Sequence, residues 1–167
     1  MIHNIALSIE KKMKIRLCYA SSRHDSMDDL IEDLSDILSV ARDFNFKNDI
    51  YGVLYYANNG FFQCLEGERF VVQQLFERIK NDKRHKAILE FDSIEIKKYS
   101  FKNWSMKYVQ KSSKVDIFFN EIGCEVFTPT ALNENNIDKF LEALLSENQT
   151  FIKKRVGLNK RGTHPYL

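Results

Sequence analysis

The apolar residues of the chain follow two periodicities, one typical of strands and one typical of helices. Period-two alternation predicts strands over residues 14–20, 50–57, 61–65, 90–98 and 106–109. Residues 58–60, Asn-Asn-Gly, tolerate positive φ and predict a hairpin between the second and third strands. Residues 66–67, Glu-Gly, predict the end of the third strand. In the fourth strand the apolar parity changes between Phe91 and Ile94, which indicates either a bulge or an inaccurate strand boundary.

Apolar side chains at three- and four-residue steps predict two amphipathic helices. The first begins at Ser26, with Asp29 three residues later in a near relative of a capping box, and its apolar stripe reaches Phe44. The second begins near Phe70 and ends near Asp82. Two further short helices are predicted over residues 115–122 and 136–145.

The order β-α-β-β-α-β predicts an α+β fold of the ferredoxin-like type. We expect a mostly antiparallel five-stranded sheet with the two longer helices on one face, and the two short C-terminal helices covering the other. The predicted units are an N-terminal extension (1–12), the α/β domain (13–109), a C-terminal helical cap (110–150) and a basic tail (151–167).

Composition excludes several classes of function. Apolar residues make up 44% and aromatic residues 13% of the chain, which is enough for a packed core. The net charge of +2 gives no general case for binding nucleic acid or an anionic membrane. Apolar runs are shorter than the roughly 20 residues of a membrane span, and residues 1–12 do not resemble a signal peptide. We therefore expect a cytoplasmic protein.

Motifs for metal binding or catalysis do not appear in the sequence. The cysteines lack paired spacing and are interpreted as buried thiols in a reducing compartment; they are Cys18, Cys64 and Cys124. The histidines are scattered, so no metal site is expected; they are His3, His24, His85 and His164. We find no phosphate loop or nucleophile motif, and too few residues follow Val109 for a typical catalytic domain. The prediction is a protein that is not an enzyme.

Two polar side chains fall on faces where apolar residues are expected. Gln63 lies on the same strand face as Phe61 and Leu65, and Tyr19 lies on the apolar face of the first strand. A buried amide without partners costs roughly 1–3 kcal/mol, so Gln63 must be hydrogen-bonded. Either these side chains bond to each other or to backbone, or they line a site for a heteroaromatic ligand with several acceptor atoms. Asn45, at the end of the first helix, is consistent with ordinary capping.

The arrangement of these residues resembles the BLUF family, sensors of blue light that use FAD. The similarity covers residues 13–109 and is carried by residues 17–21, 41–45, 52–56, 61–67, 82–85 and 104–106. The most diagnostic segment is Phe-Phe-Gln-Cys-Leu-Glu-Gly at 61–67. Phe44 departs from the pattern, because many members carry an amide or imidazole side chain there. The C-terminal helices are similar to those of short, single-domain members.

The resemblance implies a flavin ring between the two helices, above the sheet, in non-covalently bound FAD. Asn45 would bond the carbonyl and imide edge of the ring, Gln63 the N5 and C4-carbonyl edge, and Tyr19 would bond Gln63. Arg84, with Arg78 and His85, would face the C2 carbonyl or the outer parts of the cofactor. The implied cofactor-binding set is Tyr19, Ile31, Leu34, Leu38, Asn45, Phe61, Gln63, Arg78, Ile79, Arg84 and His85.

The resemblance also implies a photochemical mechanism. Tyr19 would donate an electron, and a proton through Gln63, and the amide would be left rotated or tautomerised. The altered hydrogen bonds would shift flavin absorption to the red. Trp104 and Met106 would carry the change outward by exchanging places near Gln63, and the sequence does not decide which is nearer.

The expected output is light-dependent contact with a downstream regulatory protein, for which a transcription regulator is one candidate. Direct binding to nucleic acid or membrane is not expected, and a homo-oligomer stays open. Two other readings remain: a ferredoxin-like interaction module without photochemistry, and a small enzyme of acylphosphatase type. For the enzyme, the loop at residues 21–26 lacks the glycines that phosphate binding needs.

Overall fold

A computed structural model of the chain describes residues 12–24 and 29–152. Within these ranges the strands are β1 (Lys14–Arg23), β2 (Tyr51–Ala57), β3 (Gly60–Glu68), β4 (His85–Glu90), β5 (Ile94–Glu95) and β6 (Lys107–Gln110). The helices are α1 (Leu30–Lys47), α2 (Arg69–Lys80), α3 (Ser113–Glu121) and α4 (Ile137–Ser146), with a short 3₁₀ helix at Pro129–Ala131. The predicted extension up to residue 11, the helix start at Ser26 and the basic tail from residue 153 lie outside the described residues.

The strands form one mixed sheet in the order β4-β1-β3-β2-β6, and the short β5 also pairs with β1. The pairs β1–β3, β1–β4 and β2–β3 are antiparallel, whereas β6 runs parallel to β2. The prediction of an α+β, mostly antiparallel ferredoxin-like fold is therefore confirmed. In the register of β1 with β3, Tyr19 lies directly opposite Gln63. That register brings the two unexpected polar residues together.

Side-chain alternation gives the sheet two apolar faces, each with its own helical layer. Leu17 and Tyr19 of β1 and Leu65 of β3 pack in one core with residues of α1 and α2. Cys18 of β1 and Phe62 of β3 point the other way, into a second core with residues of α3 and α4. The C-terminal helices cover the second face, as predicted. How the chain divides into independent units stays a prediction.

The beginning of α1 differs from the sequence prediction. Asp29 has extended backbone angles, and its carboxylate accepts hydrogen bonds from the N–H groups of Ile31 and Glu32. Asp29 is therefore the N-cap itself, and its predicted place three residues inside the helix is wrong. The helix ends at Lys47, where the N–H of Asn48 bonds to the carbonyls of Phe44 and Asn45.

Two strand predictions are also wrong. β3 does not end before Glu66 but continues through Glu68, which pairs with Lys14 of β1. The predicted strand at 90–98 is replaced by β4 and the two-residue β5, and residues 91–93 between them are not paired as strand. The parity change therefore reflects an inaccurate boundary. The register shift lies between the pairs Ala20–Leu89 and Ser22–Lys86, where β4 has one residue more than β1. Partners on β1 decide this, and local periodicity does not report them.

The hydrogen bonds of the Glu66 side chain explain why β3 continues beyond this residue. Its side chain is fully buried, and Oε1 accepts from Arg16 Nε at 3.0 Å. The other oxygen accepts from the backbone N–H groups of Ser100 and Phe101, at 2.7 and 3.1 Å. The carboxylate thus ties the middle of the sheet to the segment that leads into β6. Charge-assisted bonds of this kind are stronger than neutral ones.

The remaining sequence expectations concern cysteines, metals and membranes. Cys18 and Cys64 are buried free thiols, whereas Cys124 is half-buried, so the prediction of burial is only partly right for the three. The part of the chain that the structure describes contains no cluster of His, Cys, Asp or Glu suited to a metal ion. Among the helices in the same residues, none has the length and apolar character needed to cross a membrane.

Candidate functional site: a cavity between the first two helices

A cavity of about 170 Å³ opens between α1 and α2 above β1 and β3. Its volume is smaller than the roughly 300–1,000 Å³ of sites that enclose a whole organic ligand, so it would hold a ligand only in part. Like such sites, it combines apolar walls with a few placed polar groups. It is lined by Tyr19, Ile37, Val40, Ala41, Phe44, Asn45, Gln63, Leu75, Arg78, Ile79, Asp82, Arg84 and His85.

The floor of the cavity holds a buried pair of hydrogen-bonded side chains. The Tyr19 hydroxyl donates to Gln63 Oε1 across β1 and β3. Burial, together with the charge of Asp82, raises the pKa of Tyr19 far above its ordinary value, so the phenol is protonated at any physiological pH. The other end of the amide, Gln63 Nε2, lies 3.7 Å from Met106 Sδ, a weak acceptor. The amide therefore has one strong partner and one weak one.

Asn45, in the last turn of α1, presents an unused acceptor at the cavity. Its Nδ2 donates to the Ser105 carbonyl at 2.7 Å, which settles the orientation of the amide. Its Oδ1 is buried and has no hydrogen-bond partner. A buried acceptor without a partner costs roughly 1–3 kcal/mol, so a ligand with an N–H group at this point would be favoured. The imide N–H of an isoalloxazine ring is such a donor, so the residues present fit a flavin.

Charged groups at the edge of the cavity are held by fixed partners. Arg84 Nε and a terminal nitrogen both bond to the carboxylate of Asp82, the shortest contact being 2.5 Å. Partial burial opposes ionisation of Asp82, but the hydrogen bonds from Arg84 outweigh it and lower the pKa of Asp82. Across the opening, the Arg78 guanidinium lies 5.2 Å from the ring centroid of Phe44, joining α2 to α1. Phe44, which departs from the family pattern, thus has a role in the cavity wall.

His85 sits beside the tyrosine at the start of β4. One of its ring nitrogens, Nδ1, is 2.8 Å from the hydroxyl oxygen of Ser21, and the ring meets those of Tyr19 and Phe61 edge-on. Burial lowers the pKa of His85 to about 4, although the charge of Asp82 acts in the opposite direction. The imidazole is therefore neutral at pH 7 and adds no positive charge near the phenol.

Met106 and Trp104 lie on opposite sides of the sheet. Met106 is buried in the core beneath α1 and α2, next to Gln63, and its carbonyl accepts from Arg42 Nε at 3.0 Å. Trp104 packs against the second core, and its ring centroid is 4.4 Å from Lys107 Nζ. Of the two residues whose order the sequence leaves open, the methionine is the one beside the amide.

The cavity brings together most of the residues predicted to bind the cofactor. Those that line it are Tyr19, Asn45, Gln63, Arg78, Ile79, Arg84 and His85. Ile31 and Leu34 lie instead at a separate surface pocket near Phe151. Leu38 borders a third pocket beside Arg42.

Phe61 is fully buried in the core and does not reach the lining. The apolar stripe of α1 is wider than the cavity, so only its edge at Ile37, Ala41 and Phe44 faces the opening.

The sequence reading did not assign several lining residues to the site. Ala41 and Ile37 on α1 precede Asn45 by four and eight residues, and Leu75 on α2 precedes Arg78 by three. Helical steps counted from Asn45 and Arg78 identify these three residues, but not Val40, which is five residues before Asn45. Asp82 belongs to the motif at residues 82–85 but not to the predicted cofactor-binding set. Its pairing with Arg84 needs the turn after α2 and carries no periodic signal.

Comparison with known proteins agrees with this geometry. The family described as "Sensors of blue-light using FAD", BLUF, matches residues 15–107. The "Blue light- and temperature-regulated antirepressor BluF" of Escherichia coli (strain K12) is 32% identical over 78 residues, which are 47% of this chain and 19% of that protein. This chain therefore spans about a fifth of that relative's length.

Two solved structures of BlsA are similar over most of their length. The photo-activated state is 51% identical with a TM-score of 0.81, and the match covers 83% of this chain and 99% of that one. The ground state is 49% identical with a TM-score of 0.82, covering 86% and 95%. The chain described here therefore belongs to the BLUF family of blue-light sensors, which bind FAD as their chromophore.

Proposed function

We propose that this chain is a blue-light photoreceptor in which Tyr19 and Gln63 form the light-responsive pair and FAD occupies the cavity between α1 and α2. The observation that carries the proposal is the hydrogen bond from the buried Tyr19 hydroxyl to Gln63 Oε1, at the floor of that cavity. The free acceptor of Asn45 supports a ring with an N–H edge in the same place.

A bound flavin excited by blue light would supply an oxidant for a nearby phenol. Tyr19 would donate an electron to it, and the hydroxyl proton would move towards the ring through Gln63 Oε1, with which Tyr19 already shares a hydrogen bond. Return of the electron and a proton to Tyr19 would restore the phenol and leave the Gln63 amide rotated or tautomerised. An amide carries a donor at one end and an acceptor at the other, so rotation or tautomerisation changes its bonds without net chemistry. Among the described residues the Nε2 end contacts the weak acceptor Met106 Sδ, whereas the Oε1 end accepts from Tyr19, so it is the Tyr19 bond that reorientation of the amide must change.

Output is proposed to occur by contact with another protein and without catalytic turnover in this chain. The C-terminal helices α3 and α4 cover the second face of the sheet. β6 contributes side chains to the cores on both faces. The relative from E. coli is described as an antirepressor, which supports a transcription regulator as the partner class. In this proposal the altered amide moves Met106, and β6 passes that movement to the C-terminal helices.

Absorption spectroscopy of the purified chain tests the proposal. We expect a yellow protein whose flavin bands move reversibly to the red under blue light and return in the dark. A chain that cannot be loaded with FAD would contradict the assignment, and favour an interaction module without photochemistry. If the chain binds flavin but shows no reversible shift, it is a flavin-binding protein and the photoreceptor assignment is wrong.

Substitution of Tyr19 by Phe tests the electron donor. Phenylalanine keeps the ring that packs against Phe76 but removes the hydroxyl, so FAD binding should persist while the lasting red-shifted product disappears. Tyr56→Phe is a matched control, because the Tyr56 hydroxyl bonds to Asn59 instead of the amide. A normal photocycle in Tyr19→Phe would remove the tyrosine from the mechanism.

A further inference from the structure

Lys107 is a lysine buried in an unusual place. It lies on β6 directly after Met106, and 1% of its surface is exposed. Because successive residues of a strand point to opposite faces, Met106 enters the core beside Gln63 and Lys107 enters the side covered by α3 and α4. Burial of a cation destabilises the folded protein unless partners compensate for the lost hydration. The contacts of the Lys107 ammonium group therefore indicate its structural role.

The ammonium group of Lys107 has two partners on that side. Its Nζ donates to the Leu145 carbonyl at 2.8 Å, at the C-terminal end of α4, where the helix dipole favours a cation. The same nitrogen lies 4.4 Å from the ring centroid of Trp104, within range of a cation–π interaction. One charge thus connects β6, the tryptophan and the last turn of α4.

Further contacts join β6 to the segment that follows α4. The N–H of Thr150 donates to the Tyr108 carbonyl at 2.7 Å, and the N–H of Gln110 donates to Thr150 Oγ1 at 3.1 Å. Thr150 thus links β6 to the segment after α4, and Lys107 links β6 to the last turn of α4 itself. Among these contacts, Lys107 is the one that also reaches Trp104 and directly follows the methionine beside the light-responsive amide.

We propose that Lys107 is a positioning residue that holds Trp104 on the face away from Gln63 and transmits movement of β6 to the C-terminal end of α4. This inference rests on the proposed function, because it needs a light-driven change at Gln63. It goes beyond that function in assigning the transmitting contact to a charged side chain instead of to core packing.

The experiment compares amide hydrogen exchange of α4 in darkness and under continuous blue light, using the full chain loaded with FAD. Lys107→Met keeps the length and removes the charge, and Lys107→Gln is a second uncharged variant for the case that the first folds poorly. Lys107→Arg retains a cation. Lys114→Met is the matched control, because Lys114 Nζ bonds to the carbonyl of Ser146, also at the end of α4, but is on α3.

In the wild type we expect light to change exchange rates at the end of α4 by about fivefold or more, the lower range of ordinary allosteric coupling. The uncharged variants should keep the red shift of the flavin and lose this light-dependent change, whereas Lys107→Arg and Lys114→Met should keep both. The sole tryptophan tests the placement of Trp104 separately: its fluorescence should differ between dark Lys107→Met and dark wild type, and equal fluorescence would contradict the claim that Lys107 holds it.

Several results would overturn the inference alone. They are an unchanged light response of α4 in Lys107→Met, an equal loss in Lys107→Arg, an equal loss in Lys114→Met, or a wild type with a red shift and no response in α4. A wild type that binds FAD but shows no red shift would instead overturn the proposed function, and the inference with it. The flavin spectrum therefore separates the two failures.

Discussion

At the scale of single residues, Asn45 carries a buried acceptor that lacks a hydrogen-bond partner. Its Oδ1 is buried without a partner while its Nδ2 is bound to the Ser105 carbonyl. Asn45→Leu removes the acceptor, and we expect FAD affinity to fall by about 1 kcal/mol, or roughly fivefold in Kd. Titration of flavin fluorescence measures the change. Ser105→Ala keeps the backbone carbonyl and should bind FAD as the wild type does; equal affinity in both variants would contradict the assignment.

His85 predicts a dependence of stability on acid. Burial lowers its pKa to about 4 in the folded chain, against about 6.5 when unfolded. As the pH falls from 6.5 towards 4, the His85 imidazole binds a proton in the unfolded state but not in the folded state. The free energy of unfolding therefore falls. At 1.36 kcal/mol per pH unit the loss is about 3 kcal/mol, nearly complete at pH 4.

Urea unfolding at several pH values checks this dependence. Asp82 also loses stability in acid, since its folded pKa is lowered by Arg84, so the wild type must be compared with a variant. His85→Gln should be less sensitive than the wild type between pH 6.5 and 4, and the two should run in parallel above pH 7. Equal slopes across that window would show that His85 is not neutral and buried in solution.

At the scale of elements, the Glu66 carboxylate joins β3, β1 and the segment before β6. Glu66→Gln leaves the Arg16 guanidinium, whose side chain is 14% exposed, without its buried counter-charge. Breaking one partner of such a pair typically costs about 3–5 kcal/mol, and we expect a loss near the lower end because Arg16 also contacts Asp138. Denaturant unfolding at pH 7 measures it.

The control for this prediction is Asp43→Asn on α1. Asp43 pairs with Lys47 one turn away, but both side chains are 67% exposed, so the pair is screened by water. We expect Asp43→Asn to change the free energy of unfolding by less than about 0.5 kcal/mol. Similar losses in the two variants would mean that burial does not strengthen the Glu66 contacts.

At the scale of the whole molecule, the sheet is a shared wall between two cores. Phe140 of α4 is fully buried, and its ring meets those of Phe62 and Tyr55 on the strands and of Phe119 on α3. Phe140→Ala should lower the free energy of unfolding by about 3–5 kcal/mol. Because it lies behind the sheet, FAD affinity in the folded protein should change little.

The matched control is Phe151→Ala, since Phe151 is 79% exposed and its removal should cost less than about 0.5 kcal/mol. Unfolding should be monitored both by flavin release and by far-ultraviolet circular dichroism. Coincident transitions in Phe140→Ala would support one cooperative unit of sheet and C-terminal helices. Flavin release that precedes loss of the helices would contradict cooperativity.

The amino-acid sequence by itself determined the order of the main elements and indicated the family, although it misplaced the bounds of two strands. Period-two and helical spacing predicted the order of strands and helices, and the polar interruption at Gln63 and Tyr19 marked the floor of the cavity. These features are encoded locally, because the alternation of a strand or helix depends on neighbours within a few residues. The six spaced motifs then indicated a flavin-binding light sensor, and the family match confirmed it.

Only the tertiary structure decided the features that depend on residues distant in the chain. It put Met106 instead of Trp104 beside the amide, because β6 docks parallel to β2 in one register. The tertiary structure also extends β3 beyond Glu66, because the Glu66 carboxylate accepts hydrogen bonds from the backbone N–H groups of Ser100 and Phe101. Pairings across tens of residues are selected by the packing of the whole sheet, so no local pattern of hydrophobic and polar residues reports them.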